Sequence, residues 1–216
     1  MKTVLVYSGG MDSTTLLYQL VAQSRSKAGI KRGDEVCAIS FNYGQRHDKE
    51  LVCAAKICKK MGVPHRVVDV RSINALMSGS ALTSKNIKVP HGHYESQNMK
   101  STVVPNRNMV FVSLATAHAV SLKFDRIALA VHSGDHAIYP DCRPEFIKKV
   151  DAVTRIANYE SVRVYAPFLN KSKTDIAQIG RRLGVPFDET WTCYEGGAKP
   201  CGKCGSCVER EEALSF

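Results

Sequence analysis

The stretch that decides the fold is Tyr7-Ser8-Gly9-Gly10-Met11-Asp12-Ser13. It follows a short apolar run, residues 3–7, with the length and β-branched content of a buried strand. Beyond it, apolar side chains recur at helical spacing from Leu16 to Val21, and Asp12 or Ser13 is expected to cap that helix. The two glycines allow a tight turn and a close approach of the backbone to a ligand. Free N–H groups at the helix N-terminus therefore predict a cradle for a phosphate or pyrophosphate.

Two common nucleotide-binding motifs are missing from this turn. No Gly-Lys-Ser/Thr follows the strand, as a Walker P-loop requires, and there is no G-x-G-x-x-G. Residues 8–13 instead resemble the SGGxDS signature of PP-loop ATP pyrophosphatases, which split ATP between the α and β phosphates. Asp12 supplies a carboxylate that is suited to hold Mg²⁺ against the pyrophosphate. The alternative is a serine- and glycine-rich turn without a ligand.

Composition and charge limit the class of protein. The 216 residues are 44% hydrophobic, enough to bury a full core in one domain with an appendage. No run of about 18 apolar residues occurs, so we expect a cytoplasmic protein without membrane contact. The formal net charge of +10 suits phosphate-bearing partners, ATP or nucleic acid alike, and does not choose between them.

Strand and helix patterns alternate along the chain. A glycine-bearing turn is expected around residues 29–33, before the second strand. The alternation predicts an α/β fold with a five-stranded parallel sheet covered by helices on both faces, and a ligand beyond the carboxyl ends of the strands. The predicted strands are residues 3–7, 35–41, 65–70, 126–131 and 162–165.

Residues 71–103 break this alternation. They are polar, lack sustained periodicity and form an unusually long connection, which predicts a lid-like functional loop or partial disorder. His91 and His93 lie within this segment. For this H-x-H pair, solvated polar surface is the favoured interpretation and metal ligation the alternative.

Half of the eight cysteines crowd into the end of the chain. Thiols stay reduced inside cells, so a clustered set indicates a metal rather than disulfides. Two overlapping C-x-x-C steps fit tetrahedral structural Zn²⁺ with four thiolates; an Fe–S cluster or four free thiols are the alternatives. We expect residues 191–216 to form a zinc-binding segment packed on an ATP-binding domain of residues 1–190. The predicted ligands are Cys193, Cys201, Cys204 and Cys207.

Five motifs together resemble one family over essentially the whole chain, the 7-cyano-7-deazaguanine synthase (QueC) family of PP-loop ATP pyrophosphatases. They occur in the order SGGxDS, F-x-Y-x-Q-R-H, V-P-x-R-N, Y-P-D-C-R and a C-G-x-C-x-x-C tail. The resemblance implies an adenine-nucleotide α-hydrolase-like fold, a homodimer and one bound zinc. It also implies that 7-carboxy-7-deazaguanine, ammonia and ATP with Mg²⁺ are converted to the nitrile preQ0, through adenylate and amide intermediates and without nucleic acid.

The resemblance further implies roles for individual residues. Asp12, Arg107 and Lys173 would be catalytic and would meet phosphate or carboxylate charge. Cys142 is expected to be a packed thiol, because adenylation needs no protein nucleophile. The implied substrate contacts are Gln45, Arg46, Asp141 and Arg143. The implied ATP contacts are Tyr7, Ser8, Gly9, Gly10, Met11, Asp12, Ser13, Thr14 and Leu17.

Two departures from the family pattern bear on the product. Asn106 stands where the family usually has glycine, and residues 134–138 differ from the usual T-D-F-S-G. The nitrile is the favoured product, and an enzyme that stops at 7-amido-7-deazaguanine is the alternative. Two more distant hypotheses are a PP-loop tRNA thiolase or ligase, which RNA-dependent pyrophosphate release would indicate, and a non-enzymatic zinc-ribbon nucleic-acid binder.

Overall fold

The computed structural model of the protein describes residues 1–25 and 35–216. Its centre is a five-stranded sheet in the order β3-β2-β1-β4-β5, in which every neighbouring pair is parallel. The strands are β1 Thr3–Val6, β2 Val36–Asn42, β3 His65–Asp69, β4 Arg126–Ala128 and β5 Arg163–Tyr165. The predicted α/β class and parallel sheet are confirmed. The turn predicted around residues 29–33 lies outside the described residues.

Helices cover both faces of the sheet. The helices are α1 Met11–Arg25, α2 Lys49–Met61, α3 Arg107–Ser121, α4 Pro144–Ile156, α5 Lys173–Leu183 and α6 Gly205–Leu214. One apolar core lies between the sheet and α3 and α4, and the other lies between the sheet and α1, α2 and α5. In the part of the chain that the structure describes, no helix has the length and apolar character needed to cross a bilayer.

Local signals explain where the helices begin and end. Ser172 caps α5 by accepting a hydrogen bond from the backbone N–H of Asp175, and Gly184 ends that helix in the left-handed region at φ +71°. The start of α1 corrects one prediction. This helix begins at Met11, so Asp12 and Ser13 lie in its first turn and do not cap it. Gly10 directly precedes the helix and takes the N-cap position, where glycine is well tolerated.

Residues 71–103 are anchored in the protein. They contain two 3₁₀-helices, Arg71–Met77 and Gln97–Thr102, and place Leu82 and Met99 in the core beside α3. Arg46 holds the middle of the segment by donating hydrogen bonds to two of its backbone carbonyls, at 3.4 and 3.0 Å. These contacts join the segment to the core of the domain.

Candidate functional site

A cleft opens at the carboxyl ends of β1, β2 and β4. Since β1 lies between the other two in the sheet, the chain leaves neighbouring strands in opposite directions, and ligands bind at such points in open parallel sheets. The cleft is lined by the loop after β1, by Phe41 and Tyr43 after β2, by Arg107 at the start of α3 and by Trp191 ahead of the cysteines. It lies where the alternation of strands and helices predicts a ligand.

The loop after β1 forms one end of this cleft, which we call the loop end. Six of the nine residues implied to contact ATP line it: Tyr7, Ser8, Gly10, Met11, Asp12 and Ser13. The other three support the loop from behind. Gly9 has φ +82°, and a Cβ there would overlap the backbone of α2. Thr14 Oγ1 lies 3.1 Å from the Tyr7 hydroxyl, and Leu17 is fully buried in the core.

Ionisable side chains from four elements meet beside this loop. Lys173 Nζ, in the first turn of α5, lies 2.9 Å from Asp12 Oδ2 and 3.0 Å from Glu209 Oε2 on α6. His132 Nε2, just beyond β4, is 3.4 Å from the same ammonium group. The structure therefore brings Asp12 and Lys173, two of the three implied catalytic residues, into direct contact.

Asp12 and Lys173 hold each other in the charged state. Burial alone would raise the pKa of Asp12, but Lys173 and His132 outweigh it and the pKa is lowered. Burial alone would lower the pKa of Lys173, but Asp12 and Glu209 raise it above its ordinary value. Burial raises the pKa of Glu209, and Lys173 offsets part of that rise. At neutral pH the loop end consequently presents an ammonium ion and a carboxylate in a low-dielectric site.

Arg107, the third implied catalytic residue, also lines the cleft. Its Nη1 donates a hydrogen bond to the Tyr43 hydroxyl at 3.4 Å. Burial would lower the pKa of this guanidinium, but Tyr43 and Asp141 raise it, so the side chain stays charged. Asn106, the residue before it, has φ +55°, a left-handed conformation that asparagine tolerates better than most residues. The departure from the family's glycine therefore keeps a backbone shape that glycine would adopt.

A second part of the cleft, which we call the α2 end, carries a buried polar pair. Glu50 lies in the first turn of α2, and its Oε1 accepts a hydrogen bond from Gln45 Nε2 at 3.0 Å. His47 Nε2 lies 3.4 Å from Glu50 Oε2. Burial raises the pKa of Glu50 to about 8 and lowers the pKa of His47 to about 3. In the free protein at neutral pH, both side chains are mainly uncharged.

The residues implied to contact the substrate do not line the cleft. They are Gln45, Arg46, Asp141 and Arg143. Each has an internal partner instead: Gln45 bonds Glu50, and Arg46 bonds carbonyls of the 71–103 segment. Asp141 accepts from the backbone N–H of Asn108 at 2.9 Å, and Arg143 donates to the carbonyl of His136 at 2.9 Å. The motifs lie near the cleft as predicted, but these side chains turn away from it and fix the loops.

Other residues of the site were not predicted. His132 directly follows the predicted strand of residues 126–131 and could have been found from that position, whereas nothing in the sequence around Glu209 connects it with the loop end. Tyr94, in the 71–103 segment, lines the cleft and donates to Asp135 Oδ1 at 2.9 Å. Cys142 also lines the cleft, but burial raises the pKa of its thiol well above the ordinary value. That agrees with a packed thiol and not with a nucleophilic thiolate.

The four clustered cysteines form one compact site. The sulfur atoms of Cys193, Cys201, Cys204 and Cys207 all lie within 4.8 Å of one another. Backbone N–H groups point at them: that of Cys201 donates to Cys193 Sγ at 3.3 Å, and that of Cys204 to Cys201 Sγ at 3.2 Å. A tetrahedral ion with metal–sulfur bonds of about 2.3 Å holds its ligands about 3.8 Å apart, so small shifts would close this set around a metal such as zinc.

This site is joined to the cleft by its flanking residues. The backbone N–H of Trp191, upstream of the first cysteine, donates to the carbonyl of Gly9 at 3.1 Å. Downstream, α6 begins between the last two cysteines and carries Glu209 to Lys173. Helix α6 was not predicted, because the cysteine spacing marks metal ligands and hides the short helical pattern behind them. The metal site thus braces the loop end from both sides.

Solved structures share this fold at low sequence identity. U34-tRNA thiolase NcsA from Methanococcus maripaludis, with its 4Fe–4S cluster, has a TM-score of 0.55 at 14% identity, covering 100% of this chain and 63% of that one. NH3-dependent NAD synthetase from Campylobacter jejuni has a TM-score of 0.50 at 15% identity, covering 87% and 66%. At these identities the likeness shows the fold alone.

Sequence comparison is more specific. The chain is 54% identical to 7-cyano-7-deazaguanine synthase of Pseudoalteromonas translucida, over 99% of this chain and 93% of that protein. It is 55% identical to 7-cyano-7-deazaguanine synthase 1 of Colwellia psychrerythraea, with the same coverage of both chains. The family model described as "Queuosine biosynthesis protein QueC" matches residues 2–216. The chain therefore belongs to the QueC family of queuosine biosynthesis proteins.

Proposed function

We propose that this protein is a 7-cyano-7-deazaguanine synthase, which converts 7-carboxy-7-deazaguanine, ammonia and ATP to the nitrile. The observation that carries the proposal is the contact between Lys173 Nζ and Asp12 Oδ2 at 2.9 Å, at the loop end of a cleft that also contains Arg107. Adenylation of a carboxylic acid needs charged groups that bind the phosphates and a separate cation that binds the carboxylate. The names of the relatives agree with this chemistry.

The first step activates the carboxylate. One of its oxygens attacks the α-phosphorus of ATP, which forms an acyl adenylate and releases pyrophosphate. The backbone N–H groups at the start of α1 and the ammonium group of Lys173 stabilise the negative charge of the leaving pyrophosphate. Arg107 orients the carboxylate from the other side of the cleft, and its raised pKa keeps it cationic.

Mg²⁺ fits the loop end. Asp12 Oδ1 is buried and has no hydrogen-bond partner in residues 1–25 and 35–216. A carboxylate oxygen is the ligand type that this ion prefers, and when bound there Mg²⁺ neutralises charge on the pyrophosphate. We assign Asp12 as its protein ligand.

The later steps make the amide and then the nitrile. Ammonia attacks the acyl carbon, AMP leaves with one carboxylate oxygen, and a proton is lost to give the amide. The amide oxygen then attacks the α-phosphorus of a second ATP and releases pyrophosphate. Loss of AMP and of both amide N–H protons forms the C≡N bond. The aromatic walls of the cleft exclude water, which would otherwise hydrolyse the adenylate.

The departures from the family pattern are compatible with the nitrile. Asn106 adopts the left-handed backbone that glycine would supply. Asp135 accepts hydrogen bonds from the backbone N–H of His132 at 3.1 Å and from the Tyr94 hydroxyl at 2.9 Å, so the altered loop is held internally. Both loops keep defined positions, which favours the nitrile over an enzyme that stops at the amide.

We further infer that the four cysteines bind structural zinc, that residues 191–216 form a zinc-binding segment on a domain of residues 1–190, and that two chains form a homodimer. Metal analysis of the purified protein and its mass in solution test these assignments. One zinc per chain is expected, whereas iron with a visible charge-transfer band would indicate an Fe–S cluster instead.

The function is tested by incubating the protein with ATP, Mg²⁺, ammonium and 7-carboxy-7-deazaguanine. We expect the nitrile, with two AMP and two pyrophosphate per molecule formed. An accumulating amide that added ATP does not convert would indicate an amide-forming enzyme. AMP release that requires tRNA would contradict the proposal and indicate an RNA-modifying enzyme.

A further inference from the structure

The α2 end of the cleft holds polar groups that the activation chemistry does not use. Glu50 and His47 both line the cleft and are only 9% and 4% exposed. One carboxyl oxygen of Glu50 faces Gln45 Nε2 at 3.0 Å, and the other faces His47 Nε2 at 3.4 Å. Burying a carboxyl group is costly, so a group kept in this wall needs a reason beyond packing.

His47 and Glu50 can each form more hydrogen bonds than they make within the described residues. His47 Nδ1 is buried and has no hydrogen-bond partner among residues 1–25 and 35–216. With its Nε2–H directed at Glu50, a neutral His47 presents Nδ1 as an acceptor. Each Glu50 oxygen has one neighbour and can accept a second hydrogen bond. When donors of a ligand hold Glu50 as a carboxylate, the α2 end offers an acceptor position on each of its oxygens and a third at His47 Nδ1.

The walls around this pair suit a flat heterocycle. Phe41 stacks on Phe111 with ring centroids 4.2 Å apart, and Tyr43 packs against the same phenylalanine at 5.5 Å. The His47 ring lies 5.7 Å from that of Tyr194. Arg107, the cation assigned to the carboxylate, packs over the ring of Tyr43 with its guanidinium carbon 6.0 Å from the centroid. A planar ligand at the α2 end can thus keep its carboxylate at Arg107.

We propose that Glu50 is the specificity-determining residue for the heterocycle, accepting hydrogen bonds from the lactam N–H and the exocyclic amino group of a guanine-type base. This assignment rests on the proposed function and adds to it the recognition of the base. A guanine-type edge presents these two donors side by side and matches the two oxygens of a carboxylate. An adenine-type edge presents one donor beside an acceptor and leaves one carboxylate oxygen without a partner.

The test compares 7-carboxy-7-deazaguanine with its analogue that lacks the 2-amino group. We expect the wild-type protein to prefer the former by about 10- to 100-fold in kcat/KM, since the analogue leaves a buried oxygen of Glu50 without a hydrogen-bond partner. Glu50→Gln should lower kcat/KM for the amino compound and nearly abolish the preference, because its amide presents an N–H where the ligand also presents one. The KM for ATP should not change.

Glu145→Gln is the matched control, since Glu145 is exposed on α4 and pairs only with Lys149 at 2.9 Å among the contacts described. It should keep the wild-type preference. Equal use of both compounds by the wild type, or equal losses on both compounds in Glu50→Gln, would overturn the assignment of Glu50.

Equilibrium binding of the two compounds separates this proposal from the proposed function. If the wild type binds the amino compound more tightly but forms no AMP from it, the proposed function fails while the base-recognition site stands. If AMP forms but neither binding nor turnover distinguishes the compounds, Glu50 is structural and the proposed function stands.

Discussion

The loop end and the α2 end of the cleft differ in how their polar groups are held. At the loop end, Lys173 lies within 3.0 Å of carboxyl oxygens of Asp12 and Glu209, and Asp12 and Lys173 keep each other ionised. At the α2 end, burial dominates, so Glu50 tends to stay protonated and His47 neutral. One cleft thus combines a strongly charged site suited to phosphates with a nearly neutral site suited to a heterocycle. This contrast predicts that substitutions at the two ends affect different measurements.

The largest effect is expected from Asp12→Asn. The amide cannot replace the charge that holds Mg²⁺ and faces Lys173, so AMP formation should fall by about 1000-fold or more while the thermal unfolding curve remains cooperative. Steady-state assays of AMP release with saturating substrate measure this. Unchanged AMP production would contradict the role of the loop end.

Removal of the metal tests whether the tail braces the loop end. Zinc binding to four thiolates contributes on the order of 10 kcal/mol to ordering such a segment. Cys204→Ser should therefore lose the metal, lower the Tm and reduce activity, whereas Cys37→Ser removes only a buried thiol in the apolar core and should keep full zinc content. Zinc analysis beside thermal unfolding distinguishes them. Retention of one zinc per chain by Cys204→Ser would mean that the ligands are misassigned.

The loop end was the part of the site most accessible from sequence, because its main elements are contiguous. Strand, glycine turn and helix follow one another within about twenty residues, and a spacing rule identifies the four cysteines. Even there, one prediction was wrong. Asp12 and Ser13 do not cap α1, because the helix already begins at Met11, directly after the glycine turn.

The α2 end was less accessible, because the direction of a side chain depends on tertiary packing. The motif around Gln45 and Arg46 correctly marked a loop beside the cleft, yet those two side chains turn into the protein while Glu50 faces the ligand space. The role of Glu209 was hidden for the same reason. It is far from Lys173 in the sequence and meets it only through the packing of α6 beside α5.

Glu209→Gln tests whether Glu209 acts on Lys173 at the loop end. Losing the charge opposite Lys173 should lower kcat by about 10-fold, the scale of a hydrogen bond to a charged group, without loss of metal. Glu212→Gln, on the exposed side of the same helix, is the control and should behave as wild type. If both variants have wild-type kcat, the tail does not act on Lys173 through Glu209.

The smallest effect concerns stability at the α2 end. Burial raises the pKa of Glu50 from 4.5 to about 8, so the unfolded chain loses this proton before the folded protein does. Its contribution to stability is therefore complete below about pH 4.5 and is lost as the pH rises through about 8. Glu50→Gln, which has no proton to lose, should raise the Tm by roughly 2–4 °C at pH 8.5 and have little effect at pH 4.5. A Tm shift that is equal at both pH values would show that Glu50 is not a buried titrating group.

The measurement that tests the central claim most directly is the fate of the carboxylate oxygens. With 7-carboxy-7-deazaguanine labelled with ¹⁸O in its carboxylate, attack on the α-phosphorus at the loop end transfers one labelled oxygen to AMP. Mass spectrometry should find one ¹⁸O in the first AMP released and one in the second, and none in pyrophosphate. Unlabelled AMP, or label in pyrophosphate or phosphate, would contradict activation of the substrate as an adenylate at this site.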